Sequence, residues 1–329
     1  MFPTDPVYPH LHGGLRFAFR KALEFLTRFE LDQLLEDATA PGDRLFVLEA
    51  SLDWRKHSSL VGANPVLRKE FLGVIQKVAD DLYQIGECVD GRHGHEAVRF
   101  YVLINDGRPM LIDCGSQLYR SESMKELDQV LDGSTPEYVF LTHSELPHSG
   151  NLESIASNWP HIHVIVSSIL LPYIEIAPVL PLDQIDTVPP GTTLQIAGRE
   201  VSFLDALLKD QPGSQWIYDP KTGTLFTGDG FGYYHPAEVC EQFSDEVEGG
   251  IREQWFSTYH RDAFKFLRWV TPEKLNEVLD DLFQRRDVKI VAPIHGNAIR
   301  HDIPEHVDRL KQAVTSICMQ YRKEGLHLR

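Results

Sequence analysis

Three short apolar segments that read as β-strands each close on a side chain able to bind a metal ion. EYVFLTH ends on His143, GTLFTGD ends on Asp229, and VKIVAPIHG reaches His295. Strand ends on one rim of a sheet bring side chains from distant sequence together, and a rigid scaffold holds a site on its loops in this way. A lone histidine at a strand end is usually a hydrogen-bonded structural residue. Several ligand-type residues, each at a strand end and flanked by Gly or Pro, point instead to a shared metal site. A chain with this pattern must therefore fold so that these strand ends converge.

The rest of the pattern agrees. From about Val78, DLYQIG, RFYVLIND and RPMLIDCG are short β-rich segments separated by turns at Gly86–Gly94 and Asp106-Gly107. A helix is predicted near Ser123–Leu131, and HIHVIVSS is a further strand. TTLQIAG, REVSFLDA, QWIYDP and GTLFTGD form a second strand series. PEKLNEVLDDLFQR and HVDRLKQAVTSICMQYR carry helical apolar spacing on either side of VKIVAPIHG. Strands, helices, strands, helices in this order predict an α/β (αββα) sandwich, two sheets face to face with helices on the outer faces. Before it, residues 1–13 read as an irregular arm. Phe17, Phe19, Leu23, Leu26, Leu31, Leu34 and Leu35 recur at roughly helical spacing. The expected division is an N-terminal extension, 1–75, with this amphipathic helix, and a main domain, 76–329.

A formal net charge of −16 argues against nucleic acid as a partner, because a phosphate backbone would be repelled. No apolar run approaches the roughly 18 residues that span a bilayer, and the N-terminus lacks the features of a secretory signal. A cytoplasmic protein without membrane contact is expected. Cys88, Cys114, Cys240 and Cys318 form no CxxC pair and read as reduced thiols without a role.

The loop after the first of these strands reads LTHSELPHSGN, residues 141–151. Together with the strand order, it resembles the metallo-β-lactamase fold, whose His-x-His-x-Asp-His loop follows a strand. Glu145 replaces the second histidine of that loop. This substitution resembles the flavodiiron branch, whose loop is His-x-Glu-x-Asp-His and which binds two non-haem irons. The resemblance extends to FLDALLKDQPGSQWIYDPKTGTLFTGDGFG (203–232), to IVAPIHG (290–296) and to YHRDAFKFLRWVTPEKLNEVLDDL between them, and covers about residues 78–310. It implies a metal set of His143, Glu145, His148, Asp210, Asp229 and His295, with Asp229 bridging two iron ions. Zinc, or a single metal, is the alternative. Mixed His/carboxylate ligation suits iron, and carboxylate stabilises its ferric state, whereas hydrolytic zinc relies mainly on imidazoles. A bridging carboxylate also offsets the repulsion between two dications a few Å apart.

Two positions depart from the pattern. Pro147 stands where the family has an aspartate ligand, and Asp210 stands where it has its third histidine. One iron would have His143, Glu145, Asp210 and Asp229; the other would keep His148, His295 and Asp229 and be more open. Tyr259, His260, His93 and His95 fall where flavodiiron proteins place a Tyr and a His near the irons, with a surface role the alternative for His93 and His95. Among these, Tyr259 is the expected donor to a bound ligand. The resemblance implies a non-haem diiron protein that binds O2 or NO, as an oxygen sensor or as a reductase; if an enzyme, an oxidoreductase. No flavodoxin domain and no FMN are expected in this chain, so electrons would come from an external donor protein. The N-terminal extension is then expected to cover the face a flavodoxin would occupy or to form a homodimer contact. The alternatives are a metallohydrolase of the superfamily, disfavoured by Glu145 and Pro147, and a scaffold protein with a partly degenerate metal site.

Overall fold

A computed structural model describes residues 75–171 and 180–324. The chain divides into two units, Met1–Phe71 and Leu72–Arg329, and every described residue lies in the second. The amphipathic helix expected over residues 15–35 lies outside the described residues.

The first sheet opens with β1 (Gln76–Ala79), β2 (Leu82–Gly91), β3 (Gly94–Asn105) and β4 (Arg108–Ile112), a meander of antiparallel neighbours. Helix α1 (Arg120–Leu131) crosses to β5 (Tyr138–Phe140). The short helix α2 (Leu146–Ser149) and α3 (Leu152–Asn158) then lead to β6 (His163–Val166), and β7 (Ile185–Thr187) closes the sheet. From β4 to β7 the pairing is parallel, so the sheet is mixed. The second sheet runs β8 (Thr193–Ile196), β9 (Arg199–Asp205), β10 (Gln215–Asp219) and β11 (Thr224–Gly228) as antiparallel neighbours. Helices α4 (Glu253–Ala263) and α5 (Pro272–Gln284) then cross to β12 (Ile290–Pro293), parallel to β11. β13 (Ile299–Arg300) and the closing helix α6 (Ile303–Lys323) follow.

The alternation of side chains along each strand decides the layers. On β3, Tyr101 and Leu103 face the second sheet, where they meet Phe203, Ile217, Phe226 and Ala292; Phe100 and Val102 face the opposite way, against α1 and α3. Edge-to-face pairs of Tyr101 with Phe226 and Phe140 with Phe203, each 5.3 Å between centroids, lock the two sheets. On the far side, α6 buries Val307, Leu310, Val314, Ile317 and Tyr321, and α5 buries Leu275, Leu279 and Leu282. These repeats of three and four make one apolar stripe per helix. The expected αββα sandwich of two mixed sheets is the architecture observed.

This topology sets the site. Asp113 follows β4, His143 follows β5, Asp229 follows β11 and His295 follows β12, all at carboxyl ends of parallel strands. In α/β sheets such ends form the crevice where ligands bind. β10 runs antiparallel to β11, so the loop that precedes it, with Asp210, reaches the same rim.

One charged pair holds the opposite end of the second sheet. Arg199 on β9 makes a two-pronged contact with the fully buried Asp219, Nε to Oδ1 at 2.8 Å and Nη2 to Oδ2 at 2.6 Å. Burial alone would push the Asp219 carboxyl up, but Arg199 and Thr222 outweigh it and hold it below the ordinary carboxylate range. Removing one partner strands a buried charge. Asp219→Ala is expected to cost about 3–5 kcal/mol in denaturant unfolding at neutral pH. A depressed carboxylate contributes above its unfolded range and ceases to do so as pH falls through its folded value, so the deficit should shrink in acid. A deficit under about 1 kcal/mol at pH 7 would contradict this account.

Candidate metal centre

Asp113 organises the rim from beneath. It adopts a left-handed conformation, φ +58°, which turns its carboxylate back over the ends of β4 and β5. Its Oδ1 accepts the Thr142 backbone N–H at 2.7 Å, and its Oδ2 accepts the Thr142 hydroxyl at 2.7 Å. The same Oδ2 lies 2.8 Å from His148 Nδ1. One buried carboxylate thus fixes the strand end that carries His143 and orients the ring of His148. Across the gap between sheets, the Gln215 N–H donates to the Thr142 carbonyl at 3.0 Å.

The LTHSELPHSGN loop folds into α2, with Pro147 in its first turn. Proline suits that place, because its fixed φ fits the helix and its missing N–H would have had no partner. The turn drives His148 inward to full burial while Glu145 stays exposed. Gln211 Nε2 donates to Glu145 Oε1 at 3.0 Å and Ser144 Oγ donates to Gln211 Oε1 at 2.8 Å, so Gln211 steadies the carboxylate at the rim. On the second sheet, Gly228 has φ +54°, and a Cβ there would stand 3.1 Å from Thr142 Oγ1; this bend presents Asp229 to the cleft.

All six sequence-derived metal residues come together. Asp229 Oδ1 lies 2.9 Å from His148 Nε2, 3.4 Å from His295 Nε2 and 3.7 Å from His143 Nε2. His143 Nε2 lies 3.2 Å from Asp210 Oδ2. Donor atoms of His143, Glu145, Asp210 and Asp229 all fall within 4.8 Å of one another, as do those of His143, His148 and Asp229. His148 Nε2 and His295 Nε2 face each other at 3.3 Å. Yet His143 Nε2, Asp210 Oδ2 and Asp229 Oδ1 are buried without a hydrogen-bond partner. Buried polar atoms are rarely left so, and three of them aimed into one space is the arrangement a cation would complete.

The charge balance leans the same way. Burial opposes ionisation of Asp229, but His295, His143 and His148 outweigh it and hold the carboxyl far below its usual range. Burial would likewise discharge His148 and His295. Asp113 and Asp229 outweigh it for the first and hold that imidazole protonated well above its ordinary value; Asp229 and Glu96 raise the second. His143, buried and beside His148, is pushed down to about 4 and presents a neutral ring. Burial and the neighbouring Asp229 push Asp210 up to about 6.

Nothing in the sequence marks Asp113, Glu96 or Gln211 as part of this site. Glu96 on β3 bonds His295 Nδ1 as Asp113 bonds His148 Nδ1, leaving each Nε2 directed at the cleft. A carboxylate behind a metal-binding imidazole fixes its tautomer and raises its basicity. The signal was faint: one acidic residue inside a strand and one just past another. Tyr259 stacks on His295 with centroids 5.5 Å apart, and burial, reinforced by Asp229, holds its phenol protonated well above the usual range. His260 bonds the Phe256 carbonyl at 2.8 Å and stacks on Phe264. The other two histidines expected near the irons lie elsewhere. His93 sits at the surface, 3.2 Å from Asp262. The alternation along β3 sends His95 to the opposite side from Glu96, against Cys88 and Cys240.

A family profile described as ODP family beta lactamase matches residues 97–296, more than half of the chain. The nitric oxide reductase of Moorella thermoacetica is 25% identical over 201 residues, 61% of this chain and 49% of that protein. The anaerobic nitric oxide reductase flavorubredoxin of Enterobacter sp. (strain 638) is 27% identical over 210 residues, 63% of this chain and 42% of that protein. The chain thus spans about half or less of the length of these relatives. Among solved structures, the rubredoxin oxygen:oxidoreductase of Desulfovibrio gigas has the same fold, with a TM-score of 0.59 at 20% identity over 76% of this chain and 62% of that one. A flavoprotein from Thermotoga maritima superposes with a TM-score of 0.61 at 18% identity, over 72% of this chain and 60% of that one. The chain belongs to the ODP family of beta-lactamase-type domains, and its fold is that of the flavodiiron proteins.

Proposed function

We propose that this protein is a non-haem diiron protein that binds O2 or NO, either reducing it with electrons from a separate donor or reporting its presence. The observation that carries the reading is the buried, unpartnered Asp229 Oδ1 set among three imidazole nitrogens, with Asp210 and Glu145 beside the first of them. Relatives whose names describe nitric oxide reduction support it. The donor set fits iron: three imidazoles and three carboxylates form a harder, more anionic site than hydrolytic zinc prefers. His143, Glu145, Asp210 and Asp229 would hold one ion; His148, His295 and Asp229 would hold the other, with Asp229 shared. When bound, the two irons would supply the electrons and the open coordination positions that a diatomic ligand needs.

The chain's own residues do the rest. Asp113 and Glu96 keep His148 and His295 in the tautomer that offers Nε2. Pro147 contributes no donor, so the His148–His295 side carries fewer protein ligands and is the side on which a small ligand would dock. Tyr259, lying over His295 and kept protonated, is placed to donate a proton or a hydrogen bond on that side. The αββα core keeps the imidazoles out of bulk water, while exposed Glu145 marks the solvent side.

Anaerobic loading with Fe2+ should give two irons per chain, and the visible absorption of the reduced protein should change on adding O2 or NO. Uptake of zinc in preference to iron, with no spectral response to either gas, would defeat the reading. Asp113→Ala, which leaves all six donors in place, should lower iron affinity roughly 10- to 100-fold; unchanged affinity would remove Asp113 from the account. Asp210 must lose its proton to bind, and the raised imidazoles must give up theirs. Iron uptake should therefore release protons at neutral pH and weaken as pH falls below about 6. Uptake insensitive to pH between 5 and 7 would contradict the assignment of Asp210, as judged by titration at ~0.5 pH intervals.

A further inference from the structure

A second cluster of metal-type side chains lies on the other face of β3. Cys88 on β2 and His95 on β3 sit diagonally across the hairpin, since Cys88 pairs with Ala97 and Asp90 with His95. His235 is joined to His95 by two backbone hydrogen bonds, at 2.7 and 2.9 Å. Cys240 follows a single 3-10 turn, and its carbonyl is held by Asn297 Nδ2 at 2.8 Å and by buried Arg99 Nη2 at 3.2 Å. The Cys88 and Cys240 sulfurs lie 2.7 Å apart. His235 Nε2 is 3.7 Å from Cys88 Sγ, and His95 Nδ1 is 3.7 Å from Cys88 Sγ and 3.3 Å from Cys240 Sγ. The donors of Cys88, His235 and Cys240 fall within 4.8 Å of one another.

The geometry points to a zinc-class divalent metal site formed by Cys88, His95, His235 and Cys240, separate from the carboxylate-rich centre. Two sulfurs and two imidazole nitrogens are a closed four-donor set of the structural zinc type. Each ring has its other nitrogen turned to an acceptor, as metal-binding imidazoles do. His235 Nδ1 donates to the Pro236 carbonyl at 3.0 Å, and His95 Nε2 faces Asp90 Oδ1 at 3.8 Å. A simple thiol pair or disulfide requires neither imidazole. Two thiolates also neutralise a dication, so a half-buried site carries no net charge. With Zn–S distances of ~2.3 Å in a tetrahedron, the sulfurs stand about 3.8 Å apart, so the ion would spread them by about 1 Å. Of the two sulfurs, that of half-buried Cys240 is the less enclosed.

Such an ion would tie the β2–β3 hairpin to the segment after β11. Because Glu96 stands next to His95 with its side chain on the opposite face, that tie would also brace the residue that bonds His295.

Cobalt distinguishes this site from the other, since only a thiolate gives sulfur-to-cobalt charge-transfer absorption. Adding Co2+ to the reduced, metal-free full-length protein should produce that band, saturating at one ion per chain and abolished by one equivalent of Zn2+. Cys240→Ser should remove the band while leaving the circular dichroism unchanged. If that variant does not fold, His95→Gln, which keeps both thiols, should weaken the cobalt binding seen in the band by roughly tenfold or more. Absence of the band in the reduced wild-type protein would overturn the proposal. So would a band undiminished in Cys240→Ser or His95→Gln, or a Cys88–Cys240 disulfide found by peptide mapping of protein prepared with zinc under reducing conditions.

Discussion

Everything at the rim depends on one buried carboxylate oxygen. Asp229 Oδ1 lies within 3.7 Å of three imidazole nitrogens contributed by two sheets, His148 Nε2 the nearest at 2.9 Å. An unpaired carboxylate in a core is strongly unfavourable, and the surrounding imidazoles offset it: Asp229 in turn raises His148 and His295 above the ordinary imidazole range. The same arrangement would suit two roles: imidazoles that balance a buried anion and, on the proposed diiron reading, ligands around a shared carboxylate. On that reading proton and metal would compete for one geometry, which the contacts from Asp113 and Glu96 hold in place.

How much of this could be read from residues follows from what each interaction requires. His143, Asp229 and His295 were legible because each ends an apolar run, and a ligand at a strand end has a recognisable context. Asp210 was legible through its spacing from Asp229 within a matching stretch. Asp113 and Glu96 were not, because an acidic residue after RPMLI or inside GHEAVRF looks like any edge or turn residue until the partner sheet is in place. His95 is ambiguous in the sequence for a related reason. In a strand, neighbouring residues face opposite ways, so an alignment loose by one position exchanges Glu96 for His95. The four thiols carried no local signal at all: Cys88 and Cys240 are 152 positions apart and meet through hairpin register and the bond between His95 and His235.

The strand hairpin β2–β3 thus acts as a shared wall. One face of β3 presents Glu96 to His295, and the next residue on the other face presents His95 to Cys88 and Cys240. Arg99, further along the same strand and buried, bonds Asn297 at 2.9 Å just beyond His295 and also reaches the Cys240 carbonyl. The two clusters therefore share the strand residues Glu96, His95 and Arg99.

Pro147 and Asp210 break the symmetry of the centre in opposite senses. Proline in the first turn of α2 completes the helix that buries His148, yet it removes a carboxylate from that side. Asp210 adds a carboxylate beside His143, where an imidazole would have been neutral. The negative charge of the pocket is thereby shifted toward the His143–Glu145 side, at its solvent-exposed edge. The His148–His295 side is left with two imidazoles, one shared oxygen and the face of Tyr259. A cation on the first side would be held more firmly and in a higher charge state. A cation on the second would keep a position open against a neutral phenol. On the proposed diiron reading, such an uneven pair would suit the capture of a small uncharged ligand better than the activation of a water molecule, which would need a carboxylate where Pro147 stands.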